Sequence, residues 1–506
     1  MRVLLLSAFV ALSQLSALET DPAAVLPPDP AIDARIPDLA RSRQRWAGTP
    51  YPRLMATPWG KVMISEWTYR LGQLATPGVD QGFASITALA AGVAPRPGGQ
   101  LDAVIAVAGP DEVMGRLLVD VLHHGQHGFG FLGESRQGIM TWVNAGNTRH
   151  EPIAPTPIAD REGDLVVVVR PQRCAQLAGT PVTPLLTWLG TPTISVSLAS
   201  IGLREHVHVP ASALSRDMAA VTTHWANPAE LSALPITTLC ALTWTLESRA
   251  ASVLLNAIGV DAKHPQPGSI EDTLAHLGLP GLAETTLAAT GPSVVWMSEG
   301  VPFPACNLAL AIQQDVAQRW IAGLAGKLNL AAVGDGSFAG HVGLLPVTIG
   351  WVAGTTPDQG RLFLTTDPLG LDVWRKRTPG FAKAQTIAVA LSEAPSHCIA
   401  IGVSRSGASW GTLTQLIVPL FTSMGAPQVM SLPQDLRGVT TTGYLYASIA
   451  PEGSCDIRSG GLLGGPATWG SVFPVALQAT VWIQLEQLRE AEKARPVKPE
   501  PTPRTF

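Results

Sequence analysis

Charge is scarce in this sequence. Asp, Glu, Lys and Arg make up 14% of its 506 residues, against about 25% in an ordinary globular chain. With 46% hydrophobic residues, that balance excludes a solvated polyelectrolyte or wholesale disorder. Lys and Arg number 34 against 38 Asp and Glu, a formal net charge of −4, and no basic block lies outside the C-terminal tail. Nucleic acid is therefore excluded as an expected partner. Cysteine is equally sparse. Cys174, Cys240, Cys306, Cys398 and Cys455 are far apart and none belongs to a C-x-x-C pair, which excludes zinc-ribbon and thioredoxin-like chemistry. Beyond the N-terminus no apolar run reaches the ~18 residues of a membrane span.

What is present begins with a secretory pattern. Met1 and Arg2 precede an apolar run from Val3 to Val10, and small residues offer cleavage after Ser13 or Ala17. The expectation is an exported protein, periplasmic, envelope-associated or extracellular, with no transmembrane span once the signal is removed. Five cysteines leave at least one thiol unpaired, and Cys240 and Cys398 lie in apolar strand-like runs. Mostly free, buried thiols are expected.

The most informative pattern is self-similarity over about 200 residues. An apolar run, Leu101 to Val107, precedes a helix-like stretch from Asp111, and Asn307 to Gln313 precedes a similar stretch from Asp315, 204 positions on. Gly138–Val143 resembles Val347–Val352, with Trp142 matching Trp351. Gly163–Val169 resembles Gly360–Thr366, Thr193–Leu198 resembles Thr386–Leu391, and Thr237–Leu246 resembles Thr440–Ile449. These runs read as strands bounded by turn residues. The predicted fold class is α+β, with two tandem duplicated units, each an antiparallel-rich sheet carrying helices on one face. The predicted plan is a signal peptide at 1–17, a helical lead at 18–100, the first unit at 101–248, a second helical lead at 249–300 and the second unit at 301–450. A loop and helix at 451–494 and a disordered tail at 495–506 complete it. Within the leads, Asp38 to Trp46 and Pro58 to Leu74 read as helices, and Ser269 can cap another.

Ile36-Pro-Asp-Leu39, Trp46, Thr49-Pro50, Leu54 and Thr57-Pro-Trp-Gly-Lys-Val-Met63, followed by strand–helix units, resemble a family of large exported bacterial proteins of unknown function. The resemblance implies export and an α+β build. It carries no reaction and no catalytic residues.

Several residue groups are candidates for chemistry. His123, His124 and His127 form an H-H-x-x-H cluster able to bind Zn or Cu if helical. Gly125 and Gly128 interrupt that helix and no acidic partner accompanies it, so a helix C-terminus is the competing reading. His206 and His208 alternate on a strand and share a face. Gly402-Val-Ser404-Arg-Ser406-Gly407 imitates a nucleophile elbow but lacks the final Gly of G-x-S-x-G, and His397 precedes the serine. Gly133–Gly138 fails likewise and reads as a hairpin turn. Gly460-Gly-Leu-Leu-Gly-Gly465 lacks the Lys and Ser/Thr of a phosphate loop and reads as a flexible loop. No spaced carboxylate pair stands out. Trp46, Trp59 and Trp67 are candidates for an exposed ligand-contact stripe, whereas Trp142 and Trp351 read as core.

No catalytic residue and no cofactor is implied. The expected function is non-catalytic binding or scaffolding in the cell envelope, with the partner unknown. The alternatives are a hydrolase sited in the groove between the two units and a carrier of an apolar ligand. A compact polar cluster in a groove marks the hydrolase, and a dry apolar cavity marks the carrier.

Overall fold

A computed structural model describes residues 21–465, apart from 62–64, 66–84, 96–100, 111, 113–130, 137–138, 145–162, 180, 183–186, 188–189, 259, 261–268, 301–303, 344, 355–359, 377–379, 424–429 and 463. The expected signal segment, Trp67, the H-H-x-x-H cluster, the C-terminal helix candidate and the expected tail lie outside the described residues.

Strand β1 (Ile32–Ile36) leads into helices α1 (Leu39–Trp46) and α2 (Tyr51–Met55). Strands β2 (Ala88–Pro95), β3 (Leu101–Ala108), β4 (Phe131–Arg136), β5 (Ile139–Asn144) and β6 (Leu165–Val169) follow. Helix α3 (Pro171–Ala178) precedes the hairpin β7 (Thr193–Ala199) and β8 (Gly202–Val209). Helices α4 (Ala213–Val221) and α5 (Pro228–Ser232) lead to β9 (Thr238–Trp244), followed by α6 (Ser248–Ile258), α7 (Ile270–His276) and α8 (Leu282–Leu287). Then come β10 (Ser293–Ser298), β11 (Ala305–Leu310), α9 (Gln314–Lys327), β12 (Ala331–Gly334), β13 (Ser337–Val342), β14 (Leu345–Val352) and β15 (Arg361–Thr365). Helices α10 (Gly370–Lys376) and α11 (Gln385–Ser392) precede β16 (Cys398–Arg405). Helices α12 (Ser406–Ser423) and α13 (Leu432–Arg437) precede β17 (Thr442–Ile449) and β18 (Cys455–Gly461).

Local chemistry sets several helix starts. The Asp38 carboxylate accepts from the Arg41 amide at 2.8 Å to open α1, Ser269 accepts from the Asp272 amide at 3.1 Å to open α7, and Ser212 and Ser215 form a reciprocal capping box before α4.

The strands form one continuous antiparallel sheet in the order 4-5-3-2-1-6-7-8-18-17-16-9-10-11-15-14-13-12. Counted outward from the β8–β18 pair, the order 8-7-6-1-2-3-5-4 is met again as 18-17-16-9-10-11-15-14, and the β12–β13 hairpin is added at the far edge. The expected sheet for each unit is thus replaced by a single sheet through both.

Helices cover both of its faces, not one. On β11, Ala309 belongs to a cluster with Trp296, Phe363, Ile401, Val403 and the α10 and α11 residues Leu371, Trp374, Ile387 and Leu391. The next residue, Leu310, packs instead against Val316, Ala317 and Ile321 of α9, together with Leu362 and Ile349. Consecutive strand residues point to opposite faces, so α10 and α11 lie on one side and α9 on the other.

Other expectations are also corrected. Strands β1 and β2 lie within the stretch read as a helical lead, β10 lies in the second lead, and β18 lies where a loop was expected. Thr386–Leu391 is part of α11, so it does not match β7. Its Ile387, Ala390 and Leu391 are buried at helical spacing, and the apolar alternation that suggested a strand fits a helix equally. Gly163–Val169 and Gly360–Thr366 hold β6 and β15, which occupy different places in the strand order, as do β5 with Trp142 and β14 with Trp351. The strand-to-helix step at Gln314, the helix ending at Trp46 and the cap at Ser269 agree with the sequence reading. Among the described residues no helix is long and apolar enough to cross a membrane.

Candidate functional site: a groove floored by small residues

Beside α12, on the same side of the sheet as α9, lies a cavity of about 490 Å³. Its floor consists of two rows of side chains that cross successive strands. In the first row Cys306, Met297, Cys240, Ser404 and Gly443 lie in register on β11, β10, β9, β16 and β17. Gly461 of β18 continues it, since a Cβ there would stand 3.3 Å from the Gly443 Cα. In the second row Val295, Leu242, Gly402, Leu445 and Ser459 are in register from β10 to β18. Six strands spaced ~4.8 Å apart make the first row roughly 24 Å long. Ser406, Ser409, Trp410 and Leu413 of α12 form one wall, and Gly464 and Gly465 close the β18 end.

Small residues create this space. A Cβ on Gly443 would stand 2.5 Å from Ser404 Oγ, and one on Gly465 would stand 1.9 Å from Ser459 Oγ. The second row continues through Glu205 of β8 to Val196 and Leu165. Val167, Ile194 and Val207 lie in a parallel row on the same face of the first half. Where β6 and β7 carry branched side chains on this face, β16 and β17 carry Gly402, Ser404 and Gly443. The run Gly460–Gly465 is neither a phosphate cradle nor simply a loop. Gly460 and Gly461 are buried in β18 and Gly464 and Gly465 form the groove end.

Among the described residues lining the groove there is no His, Asp, Glu, Lys or Arg. Two of its serines are hydrogen-bonded to the backbone. Ser409 donates to the Leu239 carbonyl at 3.0 Å, and Ser406 Oγ accepts from the Leu462 amide at 2.9 Å. Burial pushes the Cys240 and Cys306 thiols up, so neither is a thiolate at neutral pH. The nearest buried charge is Glu205, 3% exposed, which accepts from Ser459 Oγ at 3.2 Å and from the Gly465 amide at 2.9 Å. It braces the end of the groove.

Ser404 is the next-to-last residue of β16, inside the strand rather than at a turn, with α12 starting at Ser406, and no general base accompanies it among the described residues lining the groove. His397 lies before the opposite end of β16, about seven residues or ~23 Å away along an extended strand, with its ring edge-on to Trp225 at 5.0 Å. The hydrolase alternative placed its site between the two halves, whereas this cavity lies almost wholly on β9–β11 and β16–β18.

The other sequence candidates are dispersed. Trp46 is 41% exposed and stacks on Tyr51 at 5.0 Å, and Trp59 is half-buried. Neither lines the groove. His206 and His208 do share a face, opposite the groove, and both contact one oxygen of Asp456, at 2.6 and 3.1 Å. Burial pushes the Asp456 carboxyl up, but the hydrogen bonds from the two imidazoles outweigh this and hold it below its ordinary value. Among the described residues no group of three or more His, Cys, Asp and Glu is placed to hold a metal. The floor residues Cys240, Met297, Gly443 and Leu445 were missed by the sequence reading. The available signal was the i, i+2 recurrence of Gly and Ser in Gly402/Ser404 and Ser459/Gly461.

Comparison of the chain with family models, curated proteins and solved structures gave no significant match.

Proposed function

We propose that this protein is a non-catalytic binding protein of the cell envelope whose groove takes an elongated apolar ligand, such as an acyl chain. One observation carries the reading. A floor roughly 24 Å long is built from Gly, Ser, Cys and aliphatic side chains, without a charged group or a general base among its described lining. Such a surface gains affinity by releasing water from apolar area and offers little to stabilise a developing charge.

The matching strand orders on the two sides of the β8–β18 pair support an ancestral duplication in tandem, with β1 corresponding to β9 and β8 to β18. On this reading one copy kept Val and Ile on its inner face and the other exchanged them for Gly and Ser, opening the groove. Export follows the N-terminal pattern and belongs to the same proposal.

Fluorescence titration with a linear polyene fatty acid tests the reading. Saturable binding is expected, quenching Trp410, and Ser404→Phe, which fills the floor, should weaken it at least tenfold while far-UV circular dichroism is unchanged. Absence of saturable binding, or equal binding by the filled variant, overturns it.

A further inference from the structure

We propose that the opposite face of the sheet carries an oxyanion site formed by Arg204, Arg458 and Tyr444, which takes a phosphate group. The strand register brings these residues together. Arg204 on β8 lies opposite Gly460 on β18, Arg458 lies opposite His206, and Tyr444 on β17 lies opposite Gly460 from the other side. The two arginines are thus diagonal neighbours on adjacent strands and share one face. Both are exposed, and neither has a hydrogen-bond or ion-pair partner among the described residues.

Gly460 makes the floor between them. A Cβ at that position would stand 2.7 Å from the Tyr444 ring and 2.8 Å from Ile201 Cδ1, so the ring lies over the glycine beside Ile201. Burial pushes the Tyr444 hydroxyl up, and both Arg204 and Arg458 pull it down, as cations close to the same oxygen do.

The surrounding acids do not neutralise this pair. Asp456 is held by His206 and His208. Glu393, at the end of α11, acts on Tyr444 and Tyr446 but forms no ion pair with either arginine. Like charges at diagonal strand positions repel, and an anion between them removes that repulsion. Guanidinium forks match the tetrahedral oxygens of phosphate in geometry and charge, and the Tyr444 hydroxyl adds a further donor. This site lies on the opposite face of the sheet from the groove, whose lining also includes Tyr444 and Gly460, and it stands whether or not the groove binds a lipid.

Thermal unfolding and calorimetric titration of the full chain test it, using inorganic phosphate against chloride at matched ionic strength, with O-phosphoserine as a second arm. Phosphate should raise Tm saturably and chloride should not. Arg204→Gln and Arg458→Gln should each weaken phosphate binding at least tenfold, and the double variant without phosphate should melt no lower than the unaltered protein, since the repulsion is gone. Binding of phosphoserine with similar affinity assigns the site to phosphate monoesters, and rejection of it assigns the site to the free anion. A phosphate effect no larger than that of chloride, or one that survives in the double variant, overturns the proposal.

Discussion

Tyr51 donates its hydroxyl to the carbonyl of Leu462 at 2.6 Å, joining α2 to the residue that follows β18, 411 positions later in the chain. Both groups are buried, and Leu54, Leu436 and Leu462 pack around the contact. The bond ties the N-terminal helices to the end of the groove.

Tyr51→Phe should therefore cost about 1–3 kcal/mol, because a buried carbonyl is left unpaired. Urea unfolding would show a lower midpoint with an unchanged slope. Burial also pushes the Tyr51 hydroxyl up, so its contribution is complete at neutral pH and is lost as pH rises above the ordinary tyrosine range. The phenylalanine variant should lose that part of the alkaline sensitivity.

The thiols should react in the order of their exposure. Cys306 is exposed, whereas Cys398 is fully buried, with its thiol pushed up to about 11 by burial. A thiol-reactive chromophore should label Cys306 first and Cys398 only on unfolding, and all five cysteines should titrate in denaturant without reductant. An apolar ligand in the groove should slow labelling of Cys306 and Cys240.

Asp456 makes the β8–β18 pairing sensitive to acid. Its carboxyl is held below the ordinary value in the folded chain, so the stabilisation is present above the usual carboxylate range and is lost as pH falls through it. The partners are partly exposed, with side chains 25%, 36% and 47% accessible, which limits the effect to about 0.5–1 kcal/mol. Asp456→Asn should remove that much at pH 7 and nothing at pH 2, by chemical denaturation.

The centre of the second half has little tolerance for truncation. Phe363 is 0% exposed and meets Trp296 and Trp374 at ring-centroid distances of 5.8 and 6.0 Å. Phe363→Ala should cost about 3–5 kcal/mol, read from its unfolding midpoint. A milder effect would mean that these aromatic rings close over the vacancy.

Part of the groove was readable in advance. Small residues at Gly402, Ser404 and Gly460–Gly465 stand out in the chain, but locally they resemble an incomplete elbow and a loop, because nothing local says which strands flank them. Cys240 and Met297 carry no local signal at all. Each is an ordinary apolar strand residue until β9, β10 and β16 are laid side by side.

The sequence alone determined the α+β character, several helix starts and the β11-to-α9 step, because these depend on caps and on apolar periodicity within a dozen residues. Strand partners, the single sheet through both halves, the covering of both its faces and the groove were decided only by tertiary structure. Backbone hydrogen bonds are chemically alike on every strand, so pairing is settled by side-chain fit between distant segments. Cys240 and Gly461 become parts of one floor only after those segments have met.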